Sequence, residues 1–532
     1  MTNRKPGGKP QTAPGLSRRS FLVLILVLLL LAVIARLPQF LSGQMVVDGD
    51  EGIVGLMAKH LMEGKSFSPF FSGQRYGFTL LESGTAALFF ALFGVSSASL
   101  KAAMLVLWII GASLFILAVR RLEGQAAALI TGVFVLFTPS WAAWSMKARG
   151  GYVTAFLLFG LALWRISILK KEGVASGPPL RRVSFILLGI IYGFLFISQP
   201  FFLLGAIFFV PLAVAGQDKG KKLLWFALGC ALVLVPYLVY ALRASESGWT
   251  PNVISSWLPR IDSAWVFGCL FATFRGSFIY QENASLGIMT NMAGFLAAAL
   301  MFLFIVLRAW PRRRRRSFDV ALAASLGILL VLGITSFTQH VKFAYRYLLA
   351  IPPVFALLSG GVIRDYLSEK PGRRKMTIAA IVAFGLFNAA SFSEFRHFTF
   401  YGKVQDRSVS ERRVLERLIS ELERRNVEGV YSLDPLFQWI VTFESRERIA
   451  GRSKSRVERV SVYIERVDRS LVGGKPVAVV GPYDQRDKIW ARLTGDPAAA
   501  RNYREIGRRY VVLFSPSRSL IEDLGFRITE FR

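Results

Sequence analysis

Cysteine, histidine and acidic side chains are all scarce in this 532-residue chain. Two cysteines make no disulfide framework, since Cys230 lies within an apolar run and Cys269 in an expected outside loop. The three histidines, His60, His340 and His397, are too scattered for metal-ligand spacing. No metal site is therefore expected, and dependence on a divalent ion stays open. Acidic residues number 34 against 65 basic ones, for a formal net charge of +31. In a soluble protein that excess would point to nucleic acid. Here most of it lies in short clusters beside apolar runs, as membrane topology requires, so no nucleic-acid partner is expected. The chain has no evident internal repeat.

What it has in abundance is apolar sequence: 53% of residues are hydrophobic and the mean hydropathy is +0.45. Long apolar runs on this scale indicate a polytopic α-helical membrane protein. Residues 1–20 form a basic cytoplasmic tail. The run Phe21–Ala35, extended to Leu41 across Arg36 and Pro38, reads as an uncleaved anchor, because no convincing small-residue cleavage site follows it. Further spans are expected at 99–119, 125–142, 152–169, 183–199, 201–216, 222–242, 289–307, 319–337, 346–363 and 376–393. Between Thr79 and Ser97 only about thirteen apolar residues follow Glu82, a length that suits an interfacial helix better than a span. Charge gives an independent test. With this segment flat, 25 lysines and arginines fall on the inward side, among them Arg120-Arg121, Lys170-Lys171, Arg181-Arg182 and Arg312 to Arg316. Counting it as a span would turn every later cluster outward, against the positive-inside rule. The expected architecture is eleven spans over 21–393, a first outer loop at 42–99 holding short interfacial helices, and a small extracytoplasmic α/β domain at 394–532. In that domain Ser408–Arg425 reads as an amphipathic helix with Val414, Leu418 and Leu422 on one face. Val427–Ser432, Pro476–Val480 and Tyr510–Phe514 read as strands. Trp439 and Phe443 are expected in its core.

The most informative stretch is Val46-Val47-Asp48-Gly49-Asp50-Glu51-Gly52-Ile53. Three carboxylates within four residues, beside a spanning segment, are costly unless they do something. One reading makes Asp50 a catalytic base. The other makes the segment a solvated loop in which Asp50 caps a helix carrying Ile53, Met57 and Leu61. Glu82, on an otherwise apolar helix, is either a second functional acid or an acid favoured by the dipole at a helix start. Arginine suits phosphate because its planar donors bind two oxygens at once. Arg149, Arg346, Lys342 and Arg275 are the outward cations available for that role, each with headgroup anchoring as its alternative.

The Asp-Glu pair after the first span, the helix ending at Gly64, and Gly73-Gln74-Arg75-Tyr76 together resemble the first loop of the GT-C glycosyltransferases. More narrowly, they resemble glycosyltransferase family 39, which includes protein O-mannosyltransferases and lipid A aminoarabinose transferases. The similarity continues through Leu92-Phe93-Gly94-Val95-Ser96, Arg120-Arg121-Leu122 and Arg346-Tyr347-Leu348 with Pro352-Pro353, and covers roughly Phe21 to Arg364. The resemblance implies inverting transfer of a sugar from a polyprenyl-phosphate donor to an acceptor (protein, lipid or glycan) at the outer face of the inner membrane. It makes Asp50 the base, supported by Glu51 and Glu82, with Asp48, Gln74, Tyr76, Arg149, Tyr152, Arg346 and Lys342 as candidate substrate-binding residues. Two departures stand out. Many relatives place a second aspartate where this chain has Lys147-Ala148-Arg149-Gly150-Gly151-Tyr152, and the aminoarabinose transferases carry a lysine where Gly77 follows Tyr76. Two other functions remain: a transporter or flippase of a lipid-linked saccharide, and a non-catalytic membrane scaffold. Transport predicts ionisable residues deep in the spans, of which there are few.

Overall fold

The computed structural model describes residues 16–42, 45–74, 77–171, 178–243, 273–274, 288–309, 317–336, 345–397, 410–454, 461–493 and 500–531. Helix α1 (Arg18–Ile34) opens on Ser17, whose hydroxyl accepts the Ser20 N–H. A single turn, α2 (Leu37–Phe40), follows with a proline in its first turn. The first loop then contributes α3 (Gly49–Met62) and α4 (Leu80–Phe93). Next come α5 (Ser97–Glu123), α6 (Gln125–Phe137), α7 (Ser140–Trp144), α8 (Tyr152–Lys171), α9 (Pro178–Ser198), α10 (Pro200–Ile207), α11 (Val210–Val214) and α12 (Lys219–Arg243). The helical part ends with α13 (Ile288–Ala309), α14 (Ser317–Ser336), a 3₁₀ turn (Tyr345–Ala350), α15 (Ile351–Glu369) and α16 (Arg374–Ser391).

Among the described residues eight helices are long and apolar enough to cross a membrane, so the chain is a multi-pass membrane protein. Two of the expected spans look different. The stretch 125–142 is not continuous, because α6 stops just before Thr138-Pro139. A proline there has no N–H to donate and clashes with the turn before it. The stretch 201–216 is split at Phe208-Phe209 into α10 and α11, each with a proline in its first turn. Helix α4 has 14 residues and ends at Gly94, whose φ of +80° leaves the helix. At about 1.5 Å per residue it reaches roughly 20 Å, short of a hydrocarbon core about 30 Å thick. Small residues let the long helices touch: a Cβ on Gly189 or Gly229, where α9 crosses α12, would lie 2.0 or 2.1 Å from a facing carbonyl oxygen.

The chain beyond Ser410 folds around a five-stranded sheet. Its elements are α17 (Glu411–Arg424), β1 (Gly429–Ser432), α18 (Phe437–Glu444), β2 (Ala450–Arg452), α19 (Ser461–Val472), β3 (Val477–Pro482), α20 (Arg486–Leu493), β4 (Tyr503–Ile506), β5 (Tyr510–Phe514) and α21 (Arg518–Asp523). The strand order is β2-β1-β3-β5-β4. β1 runs parallel to β2 and β3, with Val430 opposite Ala478, while β5 runs antiparallel to β3 and β4, with Val479 opposite Leu513. Val414, Leu418 and Leu422 form the buried face of α17, and Trp439 and Phe443 of α18 are buried.

This sheet region is docked on the first loop. Along α3, Gly52 and Gly55 admit α18: a Cβ on either would lie 2.8 Å from the Trp439 carbonyl oxygen or 2.4 Å from the Phe443 ring. Beyond them Glu447 accepts from Lys59 Nζ at 2.5 Å, from the Tyr463 hydroxyl at 2.6 Å, and lies 2.7 Å from His60 Nε2. Burial alone would raise the Glu447 pKa, but His60, Lys59 and Tyr463 outweigh it and hold the carboxyl well below the usual range.

Candidate active site

The first helix of the loop starts at the acidic stretch, and its start is set by Asp48. The Asp48 Oδ1 accepts the Glu51 N–H at 2.9 Å, and Glu51 Oε2 accepts the Asp48 N–H at 3.0 Å. This reciprocal capping box corrects the expected register: Asp48, not Asp50, is the N-cap, and Asp50 lies in the first turn. The capping explanation for Asp50 therefore fails.

Cations from two other elements close over this turn. The loop between α7 and α8 brings Lys147 Nζ to 2.5 Å from Asp48 Oδ2, and the Arg149 guanidinium bridges Asp48 Oδ2 at 3.4 Å and Asp50 Oδ2 at 2.5 Å. From the start of α5, Lys101 Nζ reaches Glu51 Oε1 at 2.7 Å. Among the described residues three carboxylates thus meet three cations. Each acid is buried, so the pairing decides whether the arrangement is tolerable at all. Burial alone would raise the Asp48 pKa; Lys147 and then Arg149 outweigh it and hold the carboxyl well below the usual carboxylate range. Asp50 keeps 7% of its side chain exposed, against 3% for Asp48 and 2% for Glu51. Of the three it is the most exposed.

Glu82 faces elsewhere. It is fully buried, and its Oε1 accepts the Thr154 N–H at 3.2 Å. Its carboxylate sits at the N-terminus of α8, where the backbone N–H groups and the helix dipole favour an anion. Burial pushes its pKa up to about 7, with the Thr154, Gly151 and Val153 N–H groups opposing the shift. Glu82 thereby ties α4 to the loop that carries Lys147 and Arg149. The same loop is held on its other side, where Gln199 Nε2 donates to the Gly150 carbonyl at 2.7 Å. Tyr152 is buried with its ring 5.1 Å from that of Trp144. Gln74 sits half-buried in a turn, its N–H bonded to the Phe71 carbonyl. Arg346 lies on the 3₁₀ turn that leads into α15, with its side chain outside the described residues. Tyr76, Lys342 and Arg275 also lie outside the described residues.

Sequence reasoning missed Lys101, treated Lys147 only as a departure from the family pattern, and placed Arg36 at a span end without a role. Arg36 is fully buried. Its guanidinium donates to the carbonyls of Ala32 and Trp141 and to the Ser145 hydroxyl, and lies over the Trp108 ring. It closes the ends of α1 and α7 beneath the Lys147 loop. The signal available was a lone arginine in an otherwise uninterrupted apolar run. Among the described residues no group of three or more His, Cys, Asp or Glu could hold a metal ion. The acids of the cluster are taken up by cations instead.

The arrangement of these membrane helices, with a first loop folded over their ends, is a fold shared with solved membrane proteins. A structure of ArnT from Cupriavidus metallidurans bound to undecaprenyl phosphate matches with a TM-score of 0.63 at 13% identity, covering 95% of this chain and 99% of that one. A structure of the Archaeoglobus fulgidus oligosaccharyltransferase tethered with an acceptor peptide matches with a TM-score of 0.52 at 12% identity, covering 92% and 72%. No family model and no curated protein matches the sequence.

Proposed function

We propose that this chain is an inverting glycosyltransferase that moves a sugar from a polyprenyl-phosphate donor to an acceptor at the outer face of the inner membrane. One observation carries the reading most: Asp50, the most exposed acid of a buried ion-paired cluster, is gripped by Arg149 in a fold shared with a protein bound to undecaprenyl phosphate. In the reaction the acceptor hydroxyl or amine gives its proton to the Asp50 carboxylate. The freed lone pair forms a bond to the anomeric carbon, and the bond from that carbon to the phosphate oxygen breaks on the opposite face. The departing phosphate carries away the electron pair. Its growing charge needs cationic donors, and Arg149, Lys147 and Arg346 are assigned to it, with Lys342, Gln74, Tyr76 and Tyr152 around the sugar. Asp48 and Glu51 hold the cations, and Glu82 positions the loop that delivers them.

The direction of the helices supports eleven crossings. Lys101 at the start of α5 and Lys147 just before α8 both lie against Glu51, so α6 and α7 return across the layer although neither spans it alone. By the same reasoning α10 and α11 together return from Ser198, near the site, to Lys222 at the far end. The sheet region then shares the face on which Asp50 lies, which the positive-inside count makes the outer one.

The test is Asp50→Asn in the full-length protein, assayed for transfer from a polyprenyl-phosphate sugar. Loss of a general base lowers the rate by roughly 10²- to 10⁴-fold, and because the change also takes the charge off one side of the buried pair with Arg149, a lower melting temperature in detergent is expected beside it. Full transfer by that variant refutes the role.

A further inference from the structure

At the helix ends remote from Asp50 lies a cavity of about 940 Å³ that the transfer reaction does not use. Lys170 from the end of α8, Arg181 from the start of α9 and Lys222 from α12 are among its lining residues. Phe208, Leu212 and Val320 belong to the same lining. Lys222 is buried, and its ammonium donates to the carbonyls of Ala215 at 2.9 Å and Val214 at 3.3 Å. It thereby closes the end of the broken α10–α11 pair and brings its charge to the cavity wall. Lys170 and Arg181 have no carboxylate partner among the described residues. Asp218, the acid next to this turn, lies 3.9 Å from the exposed Lys221.

Three cations gathered at one end of a helical layer, with apolar side chains in the same lining, match one kind of occupant. We propose that this cavity binds an anionic phospholipid, its phosphate against Arg181, Lys170 and Lys222 and an acyl chain along Phe208, Leu212 and Val320. Basic pockets between helices at the cytoplasmic side are suited to such headgroups, and the volume falls in the range of ligand pockets. A soluble phosphate would leave those apolar side chains wet. A polyprenyl phosphate with its head here would sit about 27 Å along α8 from the Asp50 end, at the 1.5 Å rise of a helix, so this site is separate from that of the donor. The lipid braces α11 where the crossing is broken.

The experiment uses the full-length protein, stripped of lipid in detergent, offered phosphatidylglycerol or phosphatidylcholine and read by native mass spectrometry. Phosphatidylglycerol is expected to be retained in preference to phosphatidylcholine. Each of Lys170→Gln and Arg181→Gln is expected to weaken that retention roughly fivefold, since a basic residue near anionic lipid contributes about 1 kcal/mol. Lys222 is left in place so that its carbonyl bonds survive. The exposed pair Arg374→Gln/Lys375→Gln should behave as wild type. Thermal melting checks folding, and the exposed Lys170 gives a variant whose fold is not at risk. Unchanged retention in both single variants, equal retention of phosphatidylcholine, or displacement of the lipid by millimolar inorganic phosphate would overturn the proposal.

Discussion

Removing the Arg149 guanidinium takes away the cation that the buried carboxylates of Asp48 and Asp50 share, while Lys147 stays on Asp48 and 4.0 Å from Glu51. Breaking a buried pair from one side costs on the order of 3–5 kcal/mol. Arg149→Ala should therefore lower the melting temperature clearly in detergent, as well as abolishing transfer. Arg149→Lys restores the charge but not the fork that spans two carboxylates. It should recover much of the stability while transfer stays at least tenfold down, a split that a purely structural arginine would not give. An unchanged melting temperature in Arg149→Ala would contradict the burial argument. At this scale the acidic stretch was legible, since charge beside a span is conspicuous. Its register was also written in the spacing of Asp48 and Glu51, a capping-box pattern that puts the N-cap two residues before Asp50. The partners were not legible: Lys101 and Lys147 lie about 50 and 100 positions away, and nothing local marks them as neighbours of Asp48 and Glu51.

Between elements, two contacts set where the site's loops stand. Glu82 of α4 sits on the N-terminus of α8, with its pKa raised to about 7 from an ordinary 4.5. A raised acid binds its proton more tightly when folded, so its stabilising contribution is complete below about pH 4.5 and is lost as pH rises through about 7. Melting temperature should fall across that window in the wild type, and Glu82→Gln should flatten the Glu82 part of the slope. An identical pH profile for the two proteins would remove Glu82 from this role. The second contact is α3 on α18, where the branched side chain introduced by Gly52→Val would run into the Trp439 backbone. Overpacking of this kind costs typically about 1–3 kcal/mol, so that variant should melt lower. Gly84→Ala, which meets nothing nearer than 4.0 Å, should be close to neutral. The hydrophobic runs marked most helices because length and apolarity are local properties. The breaks at Pro139 and at Phe208-Phe209 were hidden inside runs whose average hydropathy is unaffected by them. Strands β2 and β4 escaped because Ala450-Gly451-Arg452 and Tyr503-Arg504-Glu505-Ile506 pair through their neighbours rather than through any β-rich composition.

For the molecule as a whole, α3 acts as a strut between two bodies: its first turn is locked to the membrane helices by the ion cluster, and its last turn to the sheet region by Glu447. Asp50 and the sheet therefore occupy one face of the layer, and the basic cavity at Lys170, Arg181 and Lys222 the other. The enzyme reading requires the Asp50 face to be outside, where a flipped prenyl-phosphate donor would present its sugar. In a background with Cys230 and Cys269 replaced by serine, single cysteines at exposed Lys65 and exposed Lys375 report the two faces. A membrane-impermeant maleimide added to intact cells should label the Lys65→Cys protein and spare Lys375→Cys until the membrane is opened. The reverse pattern would place Asp50 in the cytoplasm, where the sign of every basic cluster, from Arg120-Arg121 to Arg373-Arg374-Lys375, opposes it. The sequence charge and the packing of α3 make independent demands on this one orientation, and the labelling experiment tests both together.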